Sequence, residues 1–310
     1  MRRALFVLKV VVTVAVLGGV LASADLPALG RLLGHASPVY FGAAVAALVA
    51  QTFVLAVRFR AIVTALGRPL GARFAVELTF VGTLFNQALP SAVGGDAIRA
   101  WRLRNDGRSW QEALVAVFLD RASGVVVLAM LAAAAVAVEP SAALASLRAP
   151  LLAVAAVGVV AIVLLAGADR FRLLPRRMRE VLATSAVPAG MRALLATRLA
   201  APAAAWSAVS HMLAALAAYW LAAALGVDVA LGTFLTAALC MLLATMIPLS
   251  YAGWGIREAG AVWLFAQLGV PAEQALAISV LFGAALLAAA LPGLTFWLAP
   301  QAAASVRPTS

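Results

Sequence analysis

The chain carries very little charge for its length. Charged residues make up 11% of 310 positions and hydrophobic ones 65%, with a mean hydropathy of +1.05. That balance excludes a soluble globular domain and points to a polytopic membrane protein. Cysteine is nearly absent too. Cys240 stands alone, which excludes an internal disulfide and a thiolate metal cluster, and it reads as a small apolar packing residue. The two histidines, His35 and His211, have no second His, Cys or carboxylate at ligand spacing, so no metal site is expected. No Walker A sequence and no GxGxxG occur, so no nucleotide and no cofactor is implied. Ser250 follows Pro248-Leu249 rather than a GxSxG turn, so a Ser250–His211 protease dyad lacks its setting. The longest polar stretch, Asp169 to Arg198, spans about thirty residues, too few for an enzyme domain.

What charge there is has one dominant sign. The net charge is +11, and the arginines cluster in short loops between apolar runs. That is the positive-inside distribution, not a nucleic-acid-binding face. An anionic membrane surface or lipid is the expected partner, and no nucleic acid. Apolar runs near 4–22, 38–57, 112–138, 149–167, 203–225 and 273–299 are each long enough to cross a bilayer. Residues 1–24 resemble a signal peptide, with Arg2, Arg3 and Ala22-Ser23-Ala24. The apolar stretch is long enough to span, so an uncleaved first helix is expected.

Two further apolar regions, near 74–98 and 230–270, are broken by a duplicated pattern. Pro90-Ser-Ala-Val-Gly-Gly95-Asp-Ala-Ile-Arg99 and Pro248-Leu-Ser-Tyr-Ala-Gly253-Trp-Gly-Ile-Arg257 carry proline, glycine, isoleucine and arginine at the same spacing. Each copy leads into a related stretch, Glu112-Ala-Leu or Gln274-Ala-Leu. The first region is flanked by Arg58, Arg60, Arg68 and Arg73 on one side and Arg102, Arg104 and Arg108 on the other. Both flanks are therefore expected in the cytoplasm, and the segment is a re-entrant hairpin. The second lies between Asp228 and Glu273 with no basic flank, so its ends are expected outside. Three spans between the hairpins, an odd number, require the same inversion.

The expected architecture is all-α and polytopic, with two inverted-topology repeats and two re-entrant helical hairpins. Residues 1–168 form the first repeat, 169–200 a basic cytoplasmic linker, and 201–310 the second repeat. The linker is either an amphipathic element on the inner leaflet or a solvated loop. The protein is placed in the cell membrane with both termini cytoplasmic.

The breaks define the candidate substrate site. An unsatisfied backbone group in hydrocarbon costs several kcal/mol, so Pro90 with Gly94-Gly95, and Pro248 with Gly253 and Gly255, predict cavity-lining breaks. Helices starting there present free N–H groups that attract anions such as phosphate. Arg99 and Arg257 add full charges at those ends, unless they only snorkel to the interface. Asp96 and Arg99, at i and i+3, can pair. Asp120-Arg121 lies about 12 Å into a helix starting near Glu112, a depth where charge marks a pathway or an internal ion pair. Asp120 or Glu258 is expected to pair with a motif arginine, with Glu258 reaching an element other than its neighbour Arg257. Asn86 lies beside the first break and Ser250 within the second. Glu77 and Asn86 do not clearly share a face. His211 reads as a hydrogen-bonded packing residue within a span.

The run Phe85-Asn86-Gln87-Ala88-Leu89-Pro90-Ser91-Ala92-Val93-Gly94-Gly95-Asp96-Ala97-Ile98-Arg99 resembles the hallmark of the lysylphosphatidylglycerol synthase transmembrane region. Ala113-Leu114 through Asp120-Arg121 is similar to that family's acidic-then-arginine segment. Pro248 to Glu258 matches its later Gly-x-Gly-x-Arg-Glu element. The resemblance covers nearly the whole chain. It implies a protein that moves a lipid, or a lipid-linked head group, between leaflets. Candidates are an anionic phospholipid, an aminoacyl-phospholipid or a polyprenyl-phosphate-linked lipid. It also implies that the family's soluble aminoacyl-transferase domain, and so enzyme activity, is absent. A small-solute or ion-coupled secondary transporter, a membrane-embedded transferase acting on a polyprenyl lipid, and a non-catalytic partner of a lipid-modifying glycosyltransferase remain alternatives. A homo-oligomer or a lipid-synthesis enzyme partner stays open.

Overall fold

The computed structural model describes residues 25–88, 94–168, 186–246 and 255–298. Pro90, Pro248, Ser250 and Gly253 lie outside the described residues, as do the first apolar run and most of the basic linker. Every regular element described is helical: α1 Leu26–His35, α2 Pro38–Ala65, α3 Ala72–Ala88, α4 Gly94–Asn105, α5 Trp110–Val138, a 3-10 turn Ala142–Leu147, α6 Arg148–Gly167, α7 Val187–Ala196, α8 Ala200–Ala224, α9 Leu231–Thr245, α10 Ile256–Ala266, α11 Ala272–Ala290 and α12 Pro292–Leu298. Among the described residues, five segments are long and apolar enough to cross a membrane: 38–65, 110–138, 142–167, 200–224 and 272–298. They coincide with the five expected spans that fall within the described residues.

Local chemistry sets the helix starts. Asp25 accepts from the Ala28 N–H and opens α1. Pro38 sits in the first turn of α2, where its missing N–H costs nothing. Ser109 and Glu112 form a reciprocal capping box at α5, with Ser109 N–H to Glu112 Oε2 at 2.6 Å and Glu112 N–H to Ser109 Oγ at 3.1 Å.

In lipid, helices associate by close packing, which small residues permit. The most extensive pair is α2 with α8. Their contacting stripes are rich in buried alanine, including Ala44 and Ala47 clustered with Ala214, Ala217 and Ala218. The opposite case is α6, which exposes Val157, Val160, Val163 and Leu164, the surface expected of a lipid-facing helix.

The helix neighbours follow one pattern twice. In the first half α2 packs on α3, α3 on α4, and α4 on α5; in the second α8 packs on α9, α9 on α10, and α10 on α11. The crossed contacts repeat as well: α2 with α11 mirrors α8 with α5, and α3 with α11 mirrors α9 with α5.

Each broken region is an antiparallel helical hairpin. Asn86 meets Gly95 and Gly82 meets Arg99, so a step of one turn back along α3 is matched by one turn forward along α4. The hairpin's two ends meet: Arg68 Nη1 donates to the Gly107 carbonyl at 3.2 Å, and Arg108 Nη2 donates to the Arg68 and Pro69 carbonyls. In the second hairpin Phe234, near the start of α9, stacks at 4.8 Å on Phe265, near the end of α10.

The part of the linker that is described, Val187–Ala196, is a helix with Pro188, Met191 and Leu194 buried. It packs on α5 and α6, and Arg192 donates to the Ala166 carbonyl at 2.6 Å.

Candidate functional site: two buried arginine clusters

The first cluster joins three helices by charge. Asp120 of α5 accepts from Arg58 Nε at 2.9 Å and from Arg99 Nη2 at 2.9 Å. Arg99 Nη1 lies 3.5 Å from Asp96 Oδ1, and Arg121 Nε donates to Asp96 Oδ2 at 2.5 Å. Arg58 Nη1 donates to Ser207 Oγ of α8 at 3.0 Å. Asp120 is 3% exposed, Asp96 5%, Arg58 6% and Arg99 8%. Three guanidinium groups thus surround two carboxylates, a surplus of one positive charge within the cluster. The Arg99 guanidinium sits 3.9 Å from the Phe59 ring centroid, a cation–π contact. Its Nε is buried without a hydrogen-bond partner.

The second cluster is smaller. Glu258 Oε1 accepts from Arg257 Nε at 3.0 Å and Nη2 at 2.6 Å. Ser279 Oγ of α11 accepts from Arg257 Nε and donates to Glu258 Oε1, both at 3.1 Å. The other carboxylate oxygen of Glu258 accepts from the Gly255 N–H at 2.6 Å. Gly255 has φ +88°, a conformation that only glycine adopts without strain, and this puts its N–H over the carboxylate. Arg257 is 4% exposed and Glu258 1%.

Glycine makes room for the three buried arginines of the clusters. A Cβ on Gly82 would stand 2.6 Å from Arg99 Cδ, one on Gly124 2.9 Å from Arg58 Nη1, and one on Gly283 2.6 Å from Arg257 Nη2. Gly95 crosses α3 so closely that a Cβ there would collide with the Gly82 carbonyl oxygen. Its N–H donates to Asn86 Oδ1 at 3.0 Å.

The clusters lie at matching depths from opposite ends of the bundle. Asp120 is ten residues into α5, about 15 Å, and Arg58 seven residues before the end of α2, about 10 Å. Both are counted from the face that carries the α3–α4 hairpin ends. Ser279 is seven residues into α11, about 10 Å from the other face. Buried charges at such depths are costly and are retained where paired or functional.

The structure brings Asn86, Gly94, Gly95, Asp96, Arg99, Asp120 and Arg121 to the first cluster, and Gly255, Arg257 and Glu258 to the second. The expected Asp96–Arg99 pair is present. Two expectations need correction. Glu258 does reach another element, accepting from Ser279 of α11, but it also pairs with its neighbour Arg257: at the first turn of α10 it folds back over the Gly255 N–H, and the long arginine wraps round to meet it. Arg58 is not a solvated flank. α2 continues to Ala65, so Arg58 is carried inside the bundle.

Sequence reasoning missed Arg58, Phe59, Ser207 and Ser279, and the glycines Gly82, Gly124 and Gly283. Polar residues at Gln51 and Thr52 and the spaced Arg58 and Arg60 hinted that α2 had a mixed face; the serines and glycines gave no such signal. Glu77 pairs with Arg73 at 2.8 Å, apart from Asn86. His211 Nε2 lies 3.0 Å from the Gly124 carbonyl oxygen, the packing role expected. Cys240 is buried. Among the described residues no group of His, Cys, Asp or Glu is placed to hold a metal ion. A cavity of about 520 Å³ lies apart from both clusters, lined by Asp25, Arg31, His35 and Glu273 among others.

An all-α bundle with several membrane-length helices and two buried arginine–carboxylate clusters defines an integral membrane protein of the polytopic class. Within that class the chain belongs to the lysylphosphatidylglycerol synthase TM region family, whose model matches residues 6–293. Membership carries a lipid-related role at a membrane. A comparison with curated proteins gives no match.

Proposed function

We propose that the protein translocates an anionic lipid between leaflets, with the phosphate held at the two arginine clusters. The observation that carries this reading is the first cluster: two buried guanidinium groups, Arg58 and Arg99, and the half-buried Arg121 against two carboxylates, at hydrocarbon depth, beside the first hairpin. A phosphate oxygen matches the planar guanidinium fork and the surplus charge. The helix N-termini at Gly94 and Gly255 aim positive dipole ends the same way. Asp96, Asp120 and Glu258 hold the arginines in place while the site is empty. The lipid tails stay in the bilayer as the head group passes.

The repeated neighbour pattern and the opposite depths of the clusters support two inverted-topology repeats, each with one hairpin re-entering from its own face. The face with Arg60, Arg68, Arg73 and Arg104 is then cytoplasmic. In this arrangement one cluster receives the head group from each side.

The test is lipid exchange in proteoliposomes, with head-group-labelled anionic and neutral lipids and a membrane-impermeant quencher. Wild type should exchange the anionic lipid faster. Arg99→Ala and Arg257→Ala should each abolish the difference. Equal, slow movement of all lipids through folded wild-type protein would remove the self-sufficient translocase.

A further inference from the structure

One buried guanidinium outside both clusters has no carboxylate at ion-pair distance among the described residues. Arg102 of α4 is 5% exposed. Its Nη2 donates to the Phe296 carbonyl at 3.2 Å, and its Nε has no acceptor at all. Among the described residues no acid lies within ion-pair distance of it. Glu77 acts on it only through space and is already bound to Arg73 at 2.8 Å. Arg99, one turn away on the same helix, has two carboxylates instead. A buried charge left in this state costs several kcal/mol unless a partner arrives.

The surroundings indicate the kind of partner. The guanidinium lies 5.3 Å from the Trp297 ring centroid. Trp297 meets Phe85 edge-on at 4.8 Å and Trp101 at 6.3 Å, and Trp101 is 38% exposed. These rings come from the ends of α12, α3 and α4 and form an apolar wall beside one cation. Arg102 is three residues from the end of α4, about 5 Å from the arginine-rich face. That is the depth of lipid phosphates, where tryptophan also gathers. A free anion would find no use for the aromatic wall, whereas a phospholipid meets it with its acyl chains and the cation with its phosphate.

We infer that Arg102, walled by Trp101 and Trp297, binds the phosphate of an anionic phospholipid of the leaflet at the arginine-rich face. The site is separate from the Arg99–Asp120 cluster and requires only that the protein be embedded in a membrane. It stands even if no lipid is translocated.

Native mass spectrometry of the purified full chain in mild detergent tests it. The probes are phosphatidylglycerol, phosphatidylcholine with the same acyl chains, and inorganic phosphate. Wild type should retain one phosphatidylglycerol in preference to phosphatidylcholine, and excess phosphate should not displace it. Arg102→Gln should weaken retention about tenfold, while Arg104→Gln, an exposed arginine on the same helix, should leave it unchanged. Trp297→Leu keeps the cation and removes the wall; it should weaken retention several-fold, and it decides the matter should Arg102→Gln fail to fold. Unchanged retention in folded Arg102→Gln, equal loss in Arg104→Gln, or displacement by inorganic phosphate would each overturn the site. Arg99→Ala should retain this lipid even where it abolishes exchange, which keeps the two proposals distinguishable.

Discussion

The two halves of the molecule place an arginine at the same point of the same motif and neutralise it differently. In the first half Arg99 finds its main acid, Asp120, 21 positions later on another helix. Asp120 also holds Arg58, so α2, α4 and α5 are tied by charge and α8 by the Ser207 hydroxyl. In the second half the acid is the next residue, Glu258, and α11 contributes only the Ser279 hydroxyl. A shared carboxylate makes the first cluster a junction of helices. Among the described residues a neighbouring carboxylate makes the second a more local unit at one helix end. Equivalent backbone positions therefore do not imply equivalent mechanical coupling.

The largest expected effect is at the shared acid. Asp120→Asn takes from Arg58 its one carboxylate among the described residues and leaves Arg99 with only the longer Asp96 contact, and should cost about 3–5 kcal/mol, read as lost thermal stability in detergent. Glu258→Gln leaves one cation, not two, and the amide oxygen still accepts from it. Its cost should be about 2 kcal/mol in the same melt. Equal losses would erase the contrast between the halves.

Gly95→Ala tests the close hairpin crossing. The new methyl group meets the Gly82 carbonyl, so a loss of roughly 1–3 kcal/mol is expected. Anionic-lipid exchange should fall with it, because the shift moves Arg99. Normal stability would mean that the crossing yields readily.

Smaller effects separate the hydroxyls. Ser279→Ala removes a group that bonds both Arg257 and Glu258, and Ser207→Ala removes one acceptor from Arg58. Each should cost about 1 kcal/mol, with Ser279 the greater. The subtlest consequence is dynamic. Amide exchange followed by mass spectrometry should be faster in α10 than in α4, since α4 is pinned by charge to α5 and, through the shared Asp120, to α2. Equal protection would show that packing, and not ion pairing, holds both hairpins.

Much of the fold was legible beforehand for identifiable reasons. Runs of about twenty apolar residues are a property of local sequence, and five of them reappear as helices of membrane length. The expected breaks at Pro90 and Pro248 lie outside the described residues, and the helices beyond them start at Gly94 and Ile256. The Asp96–Arg99 pair followed from helical spacing alone. Arg58 was hidden because hydropathy ends a span at the first charge, whereas a helix continues wherever its charges find partners inside the bundle. Glu258 was misjudged because adjacency on an ideal helix ignores the first turn, where a side chain can fold back over free N–H groups.

By itself, then, the sequence determined the helical class, the embedding in a membrane and the duplicated motif with its two arginines. Those are consequences of composition and short-range spacing. Only the tertiary structure decided that Asp120 is shared between Arg58 and Arg99, that Gly82, Gly124 and Gly283 open space for three arginine side chains, and that Arg102 has no acid at ion-pair distance among the described residues. A salt bridge across 62 positions depends on which helix faces lie together, and no local pattern contains that information.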